Sequence, residues 1–247
     1  NIARFNLDDR AWFSLGGGVH GQVYALAKYD SCIYVGGSFD SAGTIAVRNL
    51  ARYSDTLRVW QDPGGNPDNV VRAMTVYASR LYVGGDFATI AGLQSRGIAR
   101  FNGSTWSGLG RGVDGTVYAL ASSPTASNPT LYVGGYFTNG LTDSNKNVPA
   151  YNIIGWNDSS WSPLTPGNAN GPAGGVVRCI LPVGRSVYVG GDFAYLYEPT
   201  GSIINQTNKL AYFDGLWWRD LAGGVTPFAS SEVYSLALLP GGQICIG

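Results

Sequence analysis

The 247-residue chain carries 16 basic and 16 acidic residues, so its formal net charge is zero, and no charge run marks a face for nucleic acid or an anionic membrane. No apolar stretch approaches the roughly 18 residues of a membrane-spanning helix, and the length suits one domain, expected over 1–247. One histidine and three cysteines exclude a clustered Cys/His zinc site and a paired disulfide framework. Cys32, Cys179 and Cys245 are expected as free thiols.

In chain order, four short pieces recur. IARF at Ile2 and a piece around Trp12 come first. Then follow VYALA at Val23, IYVGGSF at Ile33, LARY at Leu50 and the Trp60 piece. The third round is VRAMT at Val71, LYVGGDF at Leu81, IARF at Ile98 and Trp106; the fourth is VYALA at Val117, LYVGGYF at Leu131, IIGW at Ile153 and Trp161. VRCIL at Val177, VYVGGDF at Val187, LAYF at Leu210 and Trp218 come next, and VYSLA at Val233 with ICIG at Ile244 end the chain. The first Gly of each pair stands at Gly36, Gly84, Gly134, Gly190 and Gly247, giving intervals of 48, 50, 56 and 57 residues. That period matches kelch-type repeats of about 50 rather than WD40 repeats of about 40 to 45.

Each piece is rich in β-branched and aromatic residues and bounded by Gly, Asn, Asp, Ser or Pro, which is the pattern of strands and turns. No helical periodicity with a cap is present. The expected fold is all-β: a β-propeller of four-stranded blades, one per repeat. In strand order VYALA is innermost, then LYVGG, IARF and the outer Trp strand. The chain opens with two outer strands and ends with two inner ones, so five blades are expected, one split blade closing the ring. The absence of an initiator Met and the stop inside a Gly pair fit a segment of a longer chain.

The Gly pairs are read as structural: Gly permits positive φ or close backbone approach at a strand end. A phosphate loop would need a following helix. The residues behind the pairs, Ser38, Asp86, Tyr136 and Asp192, begin outward loops.

The set VYALA, LYVGGDF, IARFNG and STWSGLG resembles the kelch-like propeller repeats of large cell-surface proteins, including fungal cortical polarity markers and repeat-rich bacterial surface proteins. The resemblance covers all five copies and implies a secreted or cell-surface setting. Copy four departs with Gly155 and Trp156, and copy two with Pro63, so distorted blades are expected there.

Catalytic groups are scarce, and no enzyme activity, metal or cofactor is expected. His20 aligns with Asp114 and is read as a turn residue; a copper-oxidase site needs several imidazole or phenolate ligands. A glycosidase, the distant alternative, needs two facing carboxylates. Glu198 is in a long loop and Glu232 precedes an inner strand, while Asp8, Asp9, Asp158 and Asp214 read as turn residues. N-x-S/T sequons at Asn102, Asn157 and Asn205 are candidate glycosylation sites in turns or loops.

Five tryptophans (Trp12, Trp60, Trp106, Trp161, Trp218) are repeat residues expected to pack between blades, whereas Trp217 has no counterpart. The loop after the Gly pair runs 12 residues in the first two copies, but 136–152 and 192–209 are longer. Tyr136, Tyr151, Tyr195 and Tyr197 populate or border them. These tyrosines and Trp217 are the interaction candidates. The expected function is a non-catalytic structural or adhesive module whose two long loops contact a protein neighbour or an identical subunit. The alternative is a lectin-like or receptor-like module taking glycans or another ligand.

Overall fold

The computed structural model describes residues 2–123, 130–144, 146–165, 171–197, 203–206, 209–221 and 232–247. Glu198 lies outside the described residues. Among the described residues every regular element is a strand. The chain divides into two compact units, Asn1–Gly108 and Leu109–Gly247.

Unit one begins with the hairpin Ala3–Asn6/Ala11–Ser14, followed by two larger sheets. Val19–Tyr29, Cys32–Ala42, Leu50–Ser54 and Val59–Gln61 form one meander; Val71–Tyr77, Arg80–Gly85, Ile98–Phe101 and Trp106–Gly108 form the other. The strands pair in the order expected for the four pieces, and the first strands of the two sheets lie side by side. Leu50, Val71, Leu81, Val83, Phe87 and Trp106 belong to one buried cluster of this unit.

Unit two repeats the pattern. Thr116–Ser123, Thr130–Tyr136, Ile153–Trp156 and Trp161–Ser162 make one sheet, and Val177–Val183, Ser186–Gly191, Leu210–Phe213 and Trp218–Asp220 make the next. Two strands, Leu236–Leu238 and Ile244–Ile246, follow as a hairpin. The last first-strand, expected from Val233, therefore starts three residues late. Its first-strand position packs beside Val177–Val183 as in the earlier sheets.

Register is the same in all four complete sheets, which make up repeats one to four in chain order. Ile33 faces Tyr53, Leu81 faces Phe101, Leu131 faces Trp156 and Val187 faces Phe213. The sheet holding Gly155 and Trp156 thus keeps the common register instead of the expected distortion; Trp156 fills the Phe position edge-on to Trp161 at 4.9 Å. A bulge falls at one position of each first strand, Tyr24, Arg72, Tyr118 and Arg178. A bulge re-aims its residue out of the ladder. Arg72 accordingly lies over the Tyr24 ring at 5.5 Å, and Arg178 lies between Tyr118 and Tyr234 at 5.4 and 5.2 Å.

The Gly pairs answer a packing need, not a dihedral one, since none of their residues has positive φ. A Cβ on Gly134 would stand 2.7 Å from Cγ1 of Val177, the first-strand Val of the next repeat. On Gly135 it would strike the Thr116 carbonyl of its own sheet. The Phe closing each motif, Phe39, Phe87, Phe137 and Phe193, is buried.

The outer tryptophans join successive repeats. Trp60 Nε1 donates to the Leu15 carbonyl (2.9 Å), Trp106 to Pro63 (3.0 Å) and Trp161 to Leu109 (3.1 Å), each acceptor lying three residues after the preceding repeat Trp. Pro63 causes no distortion, because the bond uses only its carbonyl. Trp12 departs from expectation: it is 72% exposed, touching Phe5 at 5.1 Å, with no earlier outer strand described to cover it.

Candidate functional site

The segments read as long loops are folded hairpins. Asn139–Leu141 pairs with Val148–Pro149 and with Gly112–Val113, and Tyr195–Tyr197 pairs with Ile203–Gln206 and with Gly171–Ala173. The shorter loops form such hairpins as well, Ser41 facing Ala46 and Thr89 facing Gln94, so this pairing is common to the repeats and satisfies amide groups that an irregular loop would leave to water. These hairpins bring four of the five interaction candidates together. Tyr136, Tyr151, Tyr195 and Tyr197 line one groove of about 730 Å³ in unit two, with Asp114, Phe137, Thr138, Asn152 and Gly174 beside or beneath them.

The ring geometry is specific. Tyr151 and Tyr197 are tilted by 32° with centroids 4.8 Å apart, and Tyr195 meets Tyr197 edge-on at 5.6 Å. Tyr136 is 63% exposed at the groove's edge. Repulsion from Tyr195, then desolvation and Tyr151, raises the pKa of Tyr197, and its hydrogen bond with Tyr195 acts in the same direction. The Tyr197 phenol therefore stays neutral.

Two corners border this groove. In repeat three, Asp114 accepts from the Thr138 and Asn139 amides through Oδ1 (both 2.8 Å), and from the Thr138 hydroxyl and the Asn139 side-chain amide through Oδ2 (both 2.7 Å). Burial alone would raise its pKa, but these bonds outweigh it and hold the carboxyl below the ordinary range. Asp68 caps the same corner of repeat two, accepting from the Ala88 and Thr89 amides. In repeat four the equivalent residue is Gly174, with φ +74°, and a Cβ there would stand 2.6 Å from Cε1 of Tyr195. The missing side chain is the seat of the Tyr195 ring.

Asn152 holds the floor. It adopts φ 59°, accepts from the Phe137 amide at 3.2 Å, and donates to the Pro172 and Gly175 carbonyls at 2.9 and 3.0 Å. Sequence reading missed Gly174 and Asn152. Alignment of GVDGTV with PAGGVV exposes the first; the second carries the same role as Asn49 in repeat one, which binds the Pro67 carbonyl.

Trp217 is not in the groove. It is 50% exposed in a turn whose amides, Leu216 and Trp217, donate to Asp214 Oδ1 at 2.9 and 2.7 Å. Asn102 and Asn157 occupy the corresponding exposed turns, each accepting two following amides through Oδ1. Asn205, expected in a loop, belongs to the strand Ile203–Gln206. Its backbone continues the hairpin that begins at Tyr195.

Three of the carboxylates considered for catalysis are engaged in local bonds: Asp9 accepts from the Asn6 side-chain amide, Asp214 from the Leu216 and Trp217 amides, and Glu232 pairs with Arg178 at 2.7 Å. Among the described residues no three His, Cys, Asp or Glu side chains gather to hold a metal. His20 is an exposed residue of the strand Val19–Tyr29. Cys32, Cys179 and Cys245 are free, and burial pushes the Cys179 thiol up to about 11. Among the described residues no helix is long and apolar enough to cross a membrane.

No protein-family model matches the chain, and no curated protein matches it. Among solved structures it resembles a β-propeller-like chain of a mitotic checkpoint complex, at 15% identity and a TM-score of 0.51, covering 97% of this chain and 63% of that one. The computationally designed Ika8 protein aligns at 13% identity and TM-score 0.47, over 91% of this chain and 70% of that one. PorZ, a surface component of the type-IX secretion system of Porphyromonas gingivalis, aligns at 16% and 0.49, over 91% of this chain and 30% of that one. At these identities the likeness concerns fold alone: the chain is all-β, built of small antiparallel sheets, with propeller-like neighbours.

Proposed function

We propose that the chain is a non-catalytic interaction module of an extracellular or cell-surface assembly, engaging a protein neighbour or an identical subunit through the tyrosine groove. The observation that carries this reading is the convergence of Tyr136, Tyr151, Tyr195 and Tyr197, residues the repeat does not require, on one concave surface. Tyrosine brings large contact area at small entropic cost, and interface energy concentrates in such residues. The committed carboxylates favour binding over hydrolysis.

Five kelch-like blades in one domain are part of the same proposal. The two terminal hairpins expose apolar faces, Phe5 and Trp12 on one and Leu238 and Ile246 on the other. Applying the register of the complete sheets would pair Phe5 with Ile244 and Arg4 with Cys245, completing a split blade. Oxidative cross-linking of an Arg4→Cys variant through Cys245 tests this; a reduced-like mobility after oxidation argues against closure. An extracellular setting predicts glycans on Asn102 and Asn157, and glycopeptides bare at both, from a glycosylating host, would count against it.

The interaction reading is tested by replacing Tyr195 and Tyr197 together with Ser. Sedimentation velocity should show loss of assembly at an unchanged melting temperature. Retained assembly would refute the reading, and collapse of the fold would assign the two rings to the blade.

A further inference from the structure

The groove's chemistry narrows what the neighbour presents; the inference rests on the interaction reading above. Among the described lining residues, Asp114 is the one carboxylate, and each of its oxygens already accepts two hydrogen bonds. The planar amide of Asn152 is equally spent, on the Phe137 amide and the Pro172 and Gly175 carbonyls. A sugar held here would have to surrender water from its hydroxyls with neither planar group free to replace it, which is costly. An anionic ligand would meet no counter-charge among those residues, and a cationic one would meet only the Asp114 carboxylate, whose oxygens are already bonded.

What the groove does offer is flat ring faces and phenolic O–H donors. Tyr151 and Tyr197 pack against each other at a tilt of 32°, Tyr195 stands edge-on to Tyr197, and Tyr136 extends the surface at the edge. Tyr197 and Tyr195 share one hydrogen bond, and the exposed Tyr136 adds a phenolic O–H donor at the groove's edge. A polyproline II segment is complementary on each count. Its backbone has no internal hydrogen bonds, so its carbonyls need donors, and its pyrrolidine rings are compact, apolar and uncharged. It also arrives ordered, which lowers the entropic cost of binding.

We propose that the Tyr136–Tyr151–Tyr195–Tyr197 groove binds a neutral, proline-rich segment of the neighbouring protein in the polyproline II conformation.

The probe is acetylated, amidated decaproline, titrated calorimetrically into the full chain. Wild type is expected to bind, and Tyr195→Ala to weaken binding about tenfold or more. Tyr136→Ala, at a position too exposed to hold the fold, should weaken it several-fold with the melting temperature unchanged. Absence of binding to folded wild type overturns the proposal, as does binding indifferent to both substitutions. A neutral oligosaccharide such as cellohexaose that binds instead, and is lost in the same variants, would overturn it in favour of a glycan. If decaproline fails while the Tyr195→Ser/Tyr197→Ser chain still loses assembly, the ligand class is wrong and the interaction face stands; if assembly also persists, both fall.

Discussion

Repeats three and four of unit two share strand order and register, yet they treat the same two positions in opposite ways. In repeat three the corner is closed by Asp114 with four hydrogen bonds, and the outer Trp161 donates to Leu109. In repeat four the corner residue is Gly174, Tyr195 lies over it, and the buried Trp218 Nε1 finds no acceptor among the described residues. The corner bonds and the outer-Trp bond are both made in repeat three and, among the described residues, both missing in repeat four, where an unrepeated ring occupies the corner. Repetition therefore marks stability here, and departure from it marks the site.

The widest break of this contrast comes from the outer tryptophans. Trp161→Ala should cost about 3–5 kcal/mol by urea unfolding, from a lost buried ring and a cavity. Trp161→Phe and Trp218→Phe then sharpen it: the first removes the Trp bond to the Leu109 carbonyl, leaving that oxygen only the Gly112 amide, and should be the more destabilising, by about 1 kcal/mol, because the second removes an N–H with no partner among the described residues. Equal losses would mean that Trp218 is satisfied in solution.

The corners differ in their response to acid. The folded-state pKa of Asp114 is depressed, so its contribution is full above the ordinary Asp range near ~3.9 and is lost as pH falls through the lower, folded value. The melting temperature should fall through this window, and Asp114→Asn should flatten the fall; an unchanged pH profile would show that the corner bonds do not report on stability. At neutral pH, Asp114→Ala should cost about 1–2 kcal/mol, a value reduced for solvent exposure.

Gly174→Asp gives repeat four the corner residue of repeat three. With φ at +74° and the Tyr195 ring 2.6 Å from the new Cβ, it should cost about 1 kcal/mol and displace the ring. Assembly should weaken with it, read by sedimentation. The smallest effect is expected for Trp217→Ala, within about 0.5 kcal/mol and with assembly intact, since the ring lies in an exposed turn outside the groove.

Most of the scaffold was legible in the sequence because it obeys local rules repeated four or five times. The period, the four strands per repeat, the buried Phe after each Gly pair and the Asn or Asp that folds each outer turn follow from β-propensity, alternation and turn chemistry. The unrepeated tyrosines could also be picked out, since subtracting the repeat leaves them behind. Length misled at one point: 136–152 and 192–209 read as loops because strands of two to four residues are too short to show alternation.

Which of the singled-out residues meet was decided by tertiary structure alone. Tyr136 and Tyr197 are 61 positions apart in the sequence, and only strand pairing between Gly171–Ala173 and Tyr195–Tyr197 turns the second towards the groove that the first borders. Trp217, equally unrepeated, is left in a turn by the same pairing logic. The Trp Nε1 bonds to a carbonyl three residues beyond the preceding Trp are likewise invisible in composition, because any residue supplies a carbonyl, Pro63 included. Sequence determined what each strand must bury; the packing of one repeat against the next decided which side chains were left to form a surface, because that depends on distances no local pattern encodes.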